Sequence, residues 1–293
     1  MKKNNKSNKH SKSSLYEYRI YEGINTDTLC DKCHEIENAI PDDVLNRLFC
    51  KSSEKMDEIP DSSIHIVITS PPYNVGKEYD NNLSLEEYLI FLKNVFNETY
   101  RVLVNGGRAC INVANLGRKP YIPISDYISK IMIDIGFNMR GEIIWNKSLS
   151  TGPSSAWGSW MSASNPTLRD THEYILIFSK GSYKRVVNDK NHKYSTIKRE
   201  DFMDFTKSIW NMKSESAKRV GHPAPFPLEL PKRLIELYSF ANDVVLDPFI
   251  GSGTSALAAL KLNRNYIGYD TKQEYISICE NRISEYTKSI LKH

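Results

Sequence analysis

Residues 244–270 read Val-Val-Leu-Asp-Pro-Phe-Ile-Gly-Ser-Gly-Thr-Ser-Ala-Leu-Ala-Ala-Leu-Lys-Leu-Asn-Arg-Asn-Tyr-Ile-Gly-Tyr-Asp. The apolar run Val244 to Leu246 predicts a buried strand. It enters a glycine-rich turn, Asp247 to Thr254, that opens a helix over Thr254 to Leu262, and a second strand, Tyr266 to Tyr269, ends on Asp270. Glycines let a backbone approach a ligand closely, and a helix N-terminus offers unpaired N–H groups and positive dipole to an anionic group. Asp270 stands 19 residues beyond Gly251, at a strand end where a carboxylate can accept both hydroxyls of a ribose. Strand, glycine turn, helix, strand and terminal acid in this order point to a nucleoside cofactor. Taken alone, the glycines would also suit a tight turn before a core helix. The lysine and Ser/Thr of a phosphate loop are missing, as is the third glycine of a dinucleotide fingerprint.

Upstream, the chain alternates between the two periods of regular structure. Strands are expected over Asn46 to Cys50, Ile64 to Thr69, Arg108 to Val113, Arg140 to Trp145 and Glu173 to Phe178. Helices are expected from Ser52 or Ser53 to Pro60, over Leu83 to Val104 up to Asn105-Gly106-Gly107, over Ile122 to Ile135, over Leu228 to Ser239 and from Gln273 onward. Such alternation is the pattern of an α/β fold with a parallel sheet. Two segments interrupt it: the Ser-, Gly- and Trp-rich stretch 146–169, too long for a casual connection, and the basic, aromatic stretch 180–219.

The run Ile64 to Thr69 ends on Ser70-Pro71-Pro72-Tyr73-Asn74. Ligand sites of open parallel sheets lie at the carboxyl ends of strands. Two prolines fix φ and remove N–H donors, which leaves the preceding carbonyls to accept from a substrate. Ser70 adds an acceptor oxygen, and Tyr73 a planar face for stacking. Together they suit an exocyclic NH2 on a flat ring.

Asp247-Pro248-Phe249-Ile250-Gly251-Ser252-Gly253-Thr254 resembles the cofactor motif of S-adenosyl-L-methionine-dependent methyltransferases, and Thr69-Ser70-Pro71-Pro72-Tyr73-Asn74 resembles the catalytic motif of DNA amino-methyltransferases. Their order, catalytic motif first, is that of the permuted beta group, the N4-cytosine and N6-adenine family. The likeness covers about residues 46 to 285 and includes Ile143 to Lys147, His172-Glu173-Tyr174 and His222 to Pro227. It implies a Rossmann-like, mainly parallel seven-stranded sheet with helices on both faces, circularly permuted, with a small target-recognition insert. The implied division is a disordered basic arm at 1–14, an N-terminal extension at 15–45, a catalytic half at 46–181, the insert at 182–221 and a cofactor half at 222–293.

Under the same resemblance Ser70, Pro71, Pro72 and Tyr73 are catalytic. Asp247, Pro248, Phe249, Gly251, Gly253, Thr254, Asp270, Phe226 and Pro227 bind the cofactor. The product expected is N4-methylcytosine in double-stranded DNA, made by the modification enzyme of a restriction–modification system whose endonuclease acts on the same site. N6-methyladenine is the alternative, and RNA bases or glutamine amides are remoter ones. Ser70 and the Pro71 carbonyl would accept the amine hydrogens and aim the lone pair at the methyl group, with the base rotated out of the duplex and stacked on Tyr73. A ring-carbon route needs a Pro-Cys nucleophile, and no Cys here follows a Pro. A catalytically dead binding module would not explain two intact motifs. One departure stands out: Cys50-Lys51 occupies the place of the family's Gly-Asp, so no acidic contact to the cofactor adenine is carried onto Lys51.

Charge agrees with a nucleic-acid partner. Net charge is +4 over 293 residues, yet residues 1–14 hold five Lys and no acid. Residues 180–219 hold eleven Lys and Arg against five acids, and removing both segments leaves −7 on the other 239 residues. A basic segment on an otherwise acidic protein suits a polyanion. Lys184, Arg185, Lys190, Lys193, Lys198 and Arg199 are therefore expected on phosphate, with sequence reading mainly in 182–219 and assisted by 148–165. Cys30, Cys33 and His34 match a haem-attachment spelling. Without an export signal haem is not expected, half a zinc site lacks a second ligand pair, and the cysteines are expected to be plain surface or core thiols, with no metal and no disulfide framework. No apolar run spans a membrane, so a cytoplasmic monomer or homodimer is expected.

Overall fold

The computed structural model describes residues 37–73, 83–117, 119–148, 158–185, 194–215 and 226–290. Among them are eight strands: β1 (Arg47–Cys50), β2 (Ile64–Thr69), β3 (Leu103–Val113), β4 (Phe137–Asn146), β5 (His172–Lys180), β6 (Ile209–Asn211), β7 (Val244–Asp247) and β8 (Asn265–Asp270). They form one sheet in the order β1-β8-β7-β2-β3-β5-β4-β6, in which every pairing is parallel except those of β5. The helices are α1 (Leu85–Val102), α2 (Ile124–Ile135), α3 (Arg199–Phe205), α4 (Glu229–Tyr238), α5 (Thr254–Lys261) and α6 (Gln273–Ile290). Two cores flank the sheet. One gathers Leu92, Phe96, Ile128, Met132 and Phe178 under α1 and α2; the other gathers Leu230, Leu234, Ala258, Ala259 and Cys279 under α4, α5 and α6.

β2 is buried at every position, as a central strand covered on both faces must be. α1 begins at a capping box in which Ser84 and Glu87 satisfy each other's backbone N–H groups. It ends two residues earlier than expected, because Leu103 already turns into β3 and Asn105-Gly106-Gly107 is built into that strand. Residues 51–60 form turns rather than a helix. Their backbone is claimed from outside: Glu98 accepts from the Met56 N–H at 2.9 Å, and Arg101 donates to the carbonyls of Met56 and Ile59. Long-range bonds of this kind outweigh local helix propensity.

The eighth strand, beyond the seven expected, comes from the basic stretch. β6 pairs with the end of β4, and Trp210 is 1% exposed with its indole N–H on the Phe205 carbonyl. Part of the expected insert is therefore core. No described helix is long and apolar enough to cross a membrane.

Candidate active site

Parallel strands place their carboxyl ends along one edge of the sheet, and antiparallel β5 brings its first residues to that same edge. Four chain segments converge there. Ser70 to Tyr73 leave β2, Asp247 to Thr254 leave β7, Asp270 ends β8, and Lys147 with His172 and Glu173 stands at the joint of β4 and β5.

The two motifs read from the sequence are joined through a buried acid. Asp247 accepts from Thr69 Oγ1 at 2.6 Å, from Ser255 Oγ at 2.5 Å and from the Phe249 N–H at 3.0 Å. Burial pushes its carboxyl up to about 6, against the lowering effect of these bonds. Fixing the end of β2 to the start of the glycine turn sets the spacing between them.

Within the turn Gly251 (φ 48°) and Gly253 (φ 78°) adopt the left-handed region that glycine tolerates. Gly251 N–H donates to Asp270 Oδ2 at 3.1 Å, and Lys272 N–H donates to Oδ1 at 2.9 Å. Burial raises the Asp270 carboxyl, and the backbone bonds oppose the rise. Each oxygen keeps further lone-pair capacity, as acceptance from a vicinal diol requires. Gly253 serves packing instead. A Cβ there would lie 2.1 Å from Cys279 Sγ on α6. Thr254 likewise faces α6, where Arg282 donates to its hydroxyl at 3.2 Å. Pro248 is buried, Phe249 lies 5.8 Å ring to ring from Phe91, and Phe226 and Pro227 lead into α4 at the second core. His222 to Pro225 lie outside the described residues.

The Ser-Pro-Pro-Tyr turn is held from both sides. Tyr88 on α1 donates to the Pro72 carbonyl at 2.7 Å. The Tyr73 hydroxyl accepts from the Ala114 N–H at 3.2 Å and donates to Glu173 Oε2 at 3.3 Å. Burial, with the Glu173 charge beside it, holds the phenol well above its usual range, so Tyr73 is a neutral donor.

Glu173 and its partners escaped the sequence reading as site residues. Lys147 Nζ lies 2.6 Å from Glu173 Oε1, and Asn112 Nδ2 lies 2.6 Å from Oε2. The sequence signals were the family likeness at Ile143 to Lys147 and at His172-Glu173-Tyr174, and an acid opening an otherwise apolar strand. At the departure noted above, Lys51 pairs with Glu58 at 2.7 Å, and Glu58 also accepts from Tyr269 at 3.2 Å.

Among the basic residues, Arg185 requires correction. Arg185 is 7% exposed and forms a bidentate ion pair with Asp243, itself 0% exposed, while its Nε donates to Glu37 at 3.1 Å. A guanidinium spent on a buried carboxylate cannot hold phosphate. Asp243 precedes β7 and Lys184 follows β5, so both stand at the amino edge of the sheet, opposite the edge where the two motifs meet. Lys198 and Arg199 are exposed but start from that opposite edge too. Two residues earlier, Thr196 accepts from Arg264 at 2.8 Å, and the Tyr194 carbonyl accepts from Ala241 N–H at 3.0 Å. Lys190, Lys193, residues 1–14 and Cys30, Cys33 and His34 lie outside the described residues, and no metal-binding cluster occurs among the described ones.

At the catalytic edge stand instead the loop between β4 and β5 and Lys213 beyond β6. The loop is pinched where Lys147 N–H donates to the Thr171 carbonyl at 2.7 Å, and a bridge from Gly158 to Pro166 closes a small hairpin within it. Trp160, Met161 and Leu168 on this loop are exposed.

Comparison with known proteins agrees with this arrangement. A family model described as DNA methylase, of the N6 and N4 methyltransferase type, matches residues 64–281. The chain is 32% identical over 283 residues to the type II methyltransferase M.MjaI of Methanocaldococcus jannaschii, a match covering 84% of this chain and 93% of that one. Among solved structures, TTHA0409 of Thermus thermophilus, complexed with S-adenosyl-L-methionine, superposes with a TM-score of 0.67 at 30% identity, covering 82% and 93% of the two chains. The cytosine-N4-specific PvuII DNA methyltransferase superposes with a TM-score of 0.63 at 20% identity, over 80% and 84%, and shares the fold.

Proposed function

The chain belongs to the N6 and N4 DNA methylase family, whose methyl donor is S-adenosyl-L-methionine, and from that premise we propose that it methylates the exocyclic N4 of cytosine at a specific site in double-stranded DNA. The observation that carries the choice is Ser70 at the end of β2, a neutral hydroxyl followed by two prolines and an anchored tyrosine. The donor supplies an electrophilic methyl group. Asp270, with the glycine turn beneath it, would hold the ribose, and Pro248, Phe249, Phe226 and Pro227 would line its surroundings.

An amine conjugated with its ring is a weak nucleophile. Ser70 Oγ and the Pro71 carbonyl accept its hydrogens, which concentrates the lone pair on nitrogen and orients it. The base must leave the duplex to reach this edge, at a cost of roughly a few kcal/mol, and the Tyr73 ring offers it a stacking face. Recognition falls to the loop between β4 and β5, with phosphate contacts from Arg169 and Lys213, because these segments rather than Lys184, Lys198 or Arg199 border the catalytic edge. A role as the modification partner of a restriction endonuclease for the same sequence fits this specificity.

The test is to digest DNA treated with the enzyme to nucleosides and identify the product by mass. N4-methylcytidine is expected, and N6-methyladenosine would overturn the base assignment while keeping the family chemistry. Ser70→Ala should abolish product while leaving cofactor affinity within about twofold.

A further inference from the structure

We infer that Glu173 is a positioning residue for methyl transfer, holding the hydroxyl of Tyr73 and so setting the face on which the target base stacks. This rests on the amine-transfer reading above and adds a residue outside the two motifs.

Pro71 and Pro72 have no N–H, so the backbone at these positions cannot donate a bond to steady the turn. Side chains hold it instead. Tyr88 on α1 donates to the Pro72 carbonyl at 2.7 Å, which fixes the peptide plane that carries the Tyr73 nitrogen. At the far end of the ring the hydroxyl takes the Ala114 N–H at 3.2 Å and gives its own hydrogen to Glu173 Oε2 at 3.3 Å. Held at root and tip, the ring has a fixed long axis.

Glu173 is itself held from the strands on either side of β5. The Asn112 amide, near the end of β3, donates to Oε2 at 2.6 Å, and Lys147, just beyond β4, lies 2.6 Å from Oε1. The side chains of Glu173 and Lys147 are 13% and 22% exposed. Taking two charges this far out of water offsets much of what their attraction gains, so the pair is a poor device for stability. What it provides is an oxygen with a fixed place, and the donor that the catalytic turn brings to that oxygen is Tyr73. Asn112 shows the same priority. It is 3% exposed and turns its amide nitrogen to Glu173, while its Oδ1 has no hydrogen-bond partner among the described residues. A carboxylate can only accept, so the orientation of this amide is dictated by Glu173.

Misplacing reacting groups by about 1 Å costs on the order of 100-fold in rate. Glu173 acts on the base through Tyr73, and the role asks of it an acceptor oxygen rather than a charge. That requirement separates it from a stabilising ion pair.

The test is single-turnover transfer of tritiated methyl to unmodified genomic DNA, at saturating DNA and S-adenosyl-L-methionine, by full-length Glu173→Met, Tyr73→Phe, the double variant of these two, and Lys147→Met with Glu173→Gln. Glu173→Met should slow transfer by about 10- to 100-fold while S-adenosylhomocysteine affinity stays within about twofold. Tyr73→Phe keeps the ring and should lose a similar factor. The double variant should be no slower than the worse single one, because residues that act as a unit are not additive. In Lys147→Met with Glu173→Gln the glutamine carbonyl can still accept from Tyr73 and Asn112, and no ammonium faces its NH2, so the rate should return to within about fivefold of wild type. A rate within twofold of wild type for Glu173→Met, losses that multiply in the double variant, or a glutamine variant as slow as Glu173→Met would each overturn the inference. Should Glu173→Met not fold, a wild-type rate for Tyr73→Phe overturns it, and a slow Tyr73→Phe beside a fast glutamine variant supports it. A wild type that forms no methylated amine overturns the parent reading instead.

Discussion

Replacing Arg185 with Met separates the sequence expectation for this residue from its structural setting. In the fold it is 7% exposed, bidentate to an Asp243 that is 0% exposed, and bonded through Nε to Glu37. Methionine fills similar volume but leaves Asp243 with the Phe240 N–H at 2.8 Å and the His65 ring at 3.7 Å as its remaining named partners. Removing one partner of a buried pair costs about 3–5 kcal/mol, because the other charge stays buried and uncompensated. For a chain of this size each kcal/mol corresponds to roughly 2–4 °C, so Tm should fall by about 10 °C. Urea unfolding should show the lower midpoint at unchanged m-value. The double variant with Asp243→Asn should recover much of the loss, since the two changes are coupled. DNA binding at moderate temperature should keep its dependence on salt. The rival expectation, a phosphate contact, requires the opposite: normal stability, and a salt slope shallower by about 0.9 for the lost charge. A stable Arg185→Met protein with that shallower slope would refute the burial argument.

Three further outcomes follow from the same geometry. Neutralising Lys198 and Arg199 together should leave the salt slope of DNA binding unchanged, whereas neutralising Arg169 and Lys213 should reduce it by about 1 to 2; the reverse pattern in a filter-binding titration would return recognition to the opposite edge. Asp270→Ala should weaken S-adenosylhomocysteine by about 10- to 150-fold, the equivalent of roughly 1.5–3 kcal/mol for hydrogen bonds to a charged group, and equal calorimetric affinity would remove its ribose role. Asp247 keeps its proton up to about 6 in the folded chain against an ordinary 3.8, so between these values the native state binds more protons and stability falls as pH rises. Denaturation of Asp247→Asn across pH 4 to 7 should lack that decline, and an identical decline in the variant would assign it to other groups.

Much of the fold was legible because its signals are local. Val244 to Asp270 carries strand, turn, helix and terminal acid in consecutive residues, and Ile64 to Tyr73 carries a strand and its catalytic turn, so periodicity and turn chemistry suffice to place both. What local signals missed was decided by partners far away in the chain. The expected helix after Ser52 yields to bonds from Glu98 and Arg101, about forty residues on, and β6 forms only because the end of β4 offers it an edge. The cluster of Lys147, Glu173 and Asn112 exists only once antiparallel β5 sets its first residues beside the ends of β3 and β4. Charge was the most misleading guide. Composition located the positive residues in 180–219 but not the edge of the sheet they face, and direction along a strand fixes that edge. Because β5 runs against its neighbours, Lys184 and Arg185, which follow it directly, emerge at the amino edge of the sheet. One of them, Arg185, is drawn inside by a buried carboxylate that no sequence neighbour announces.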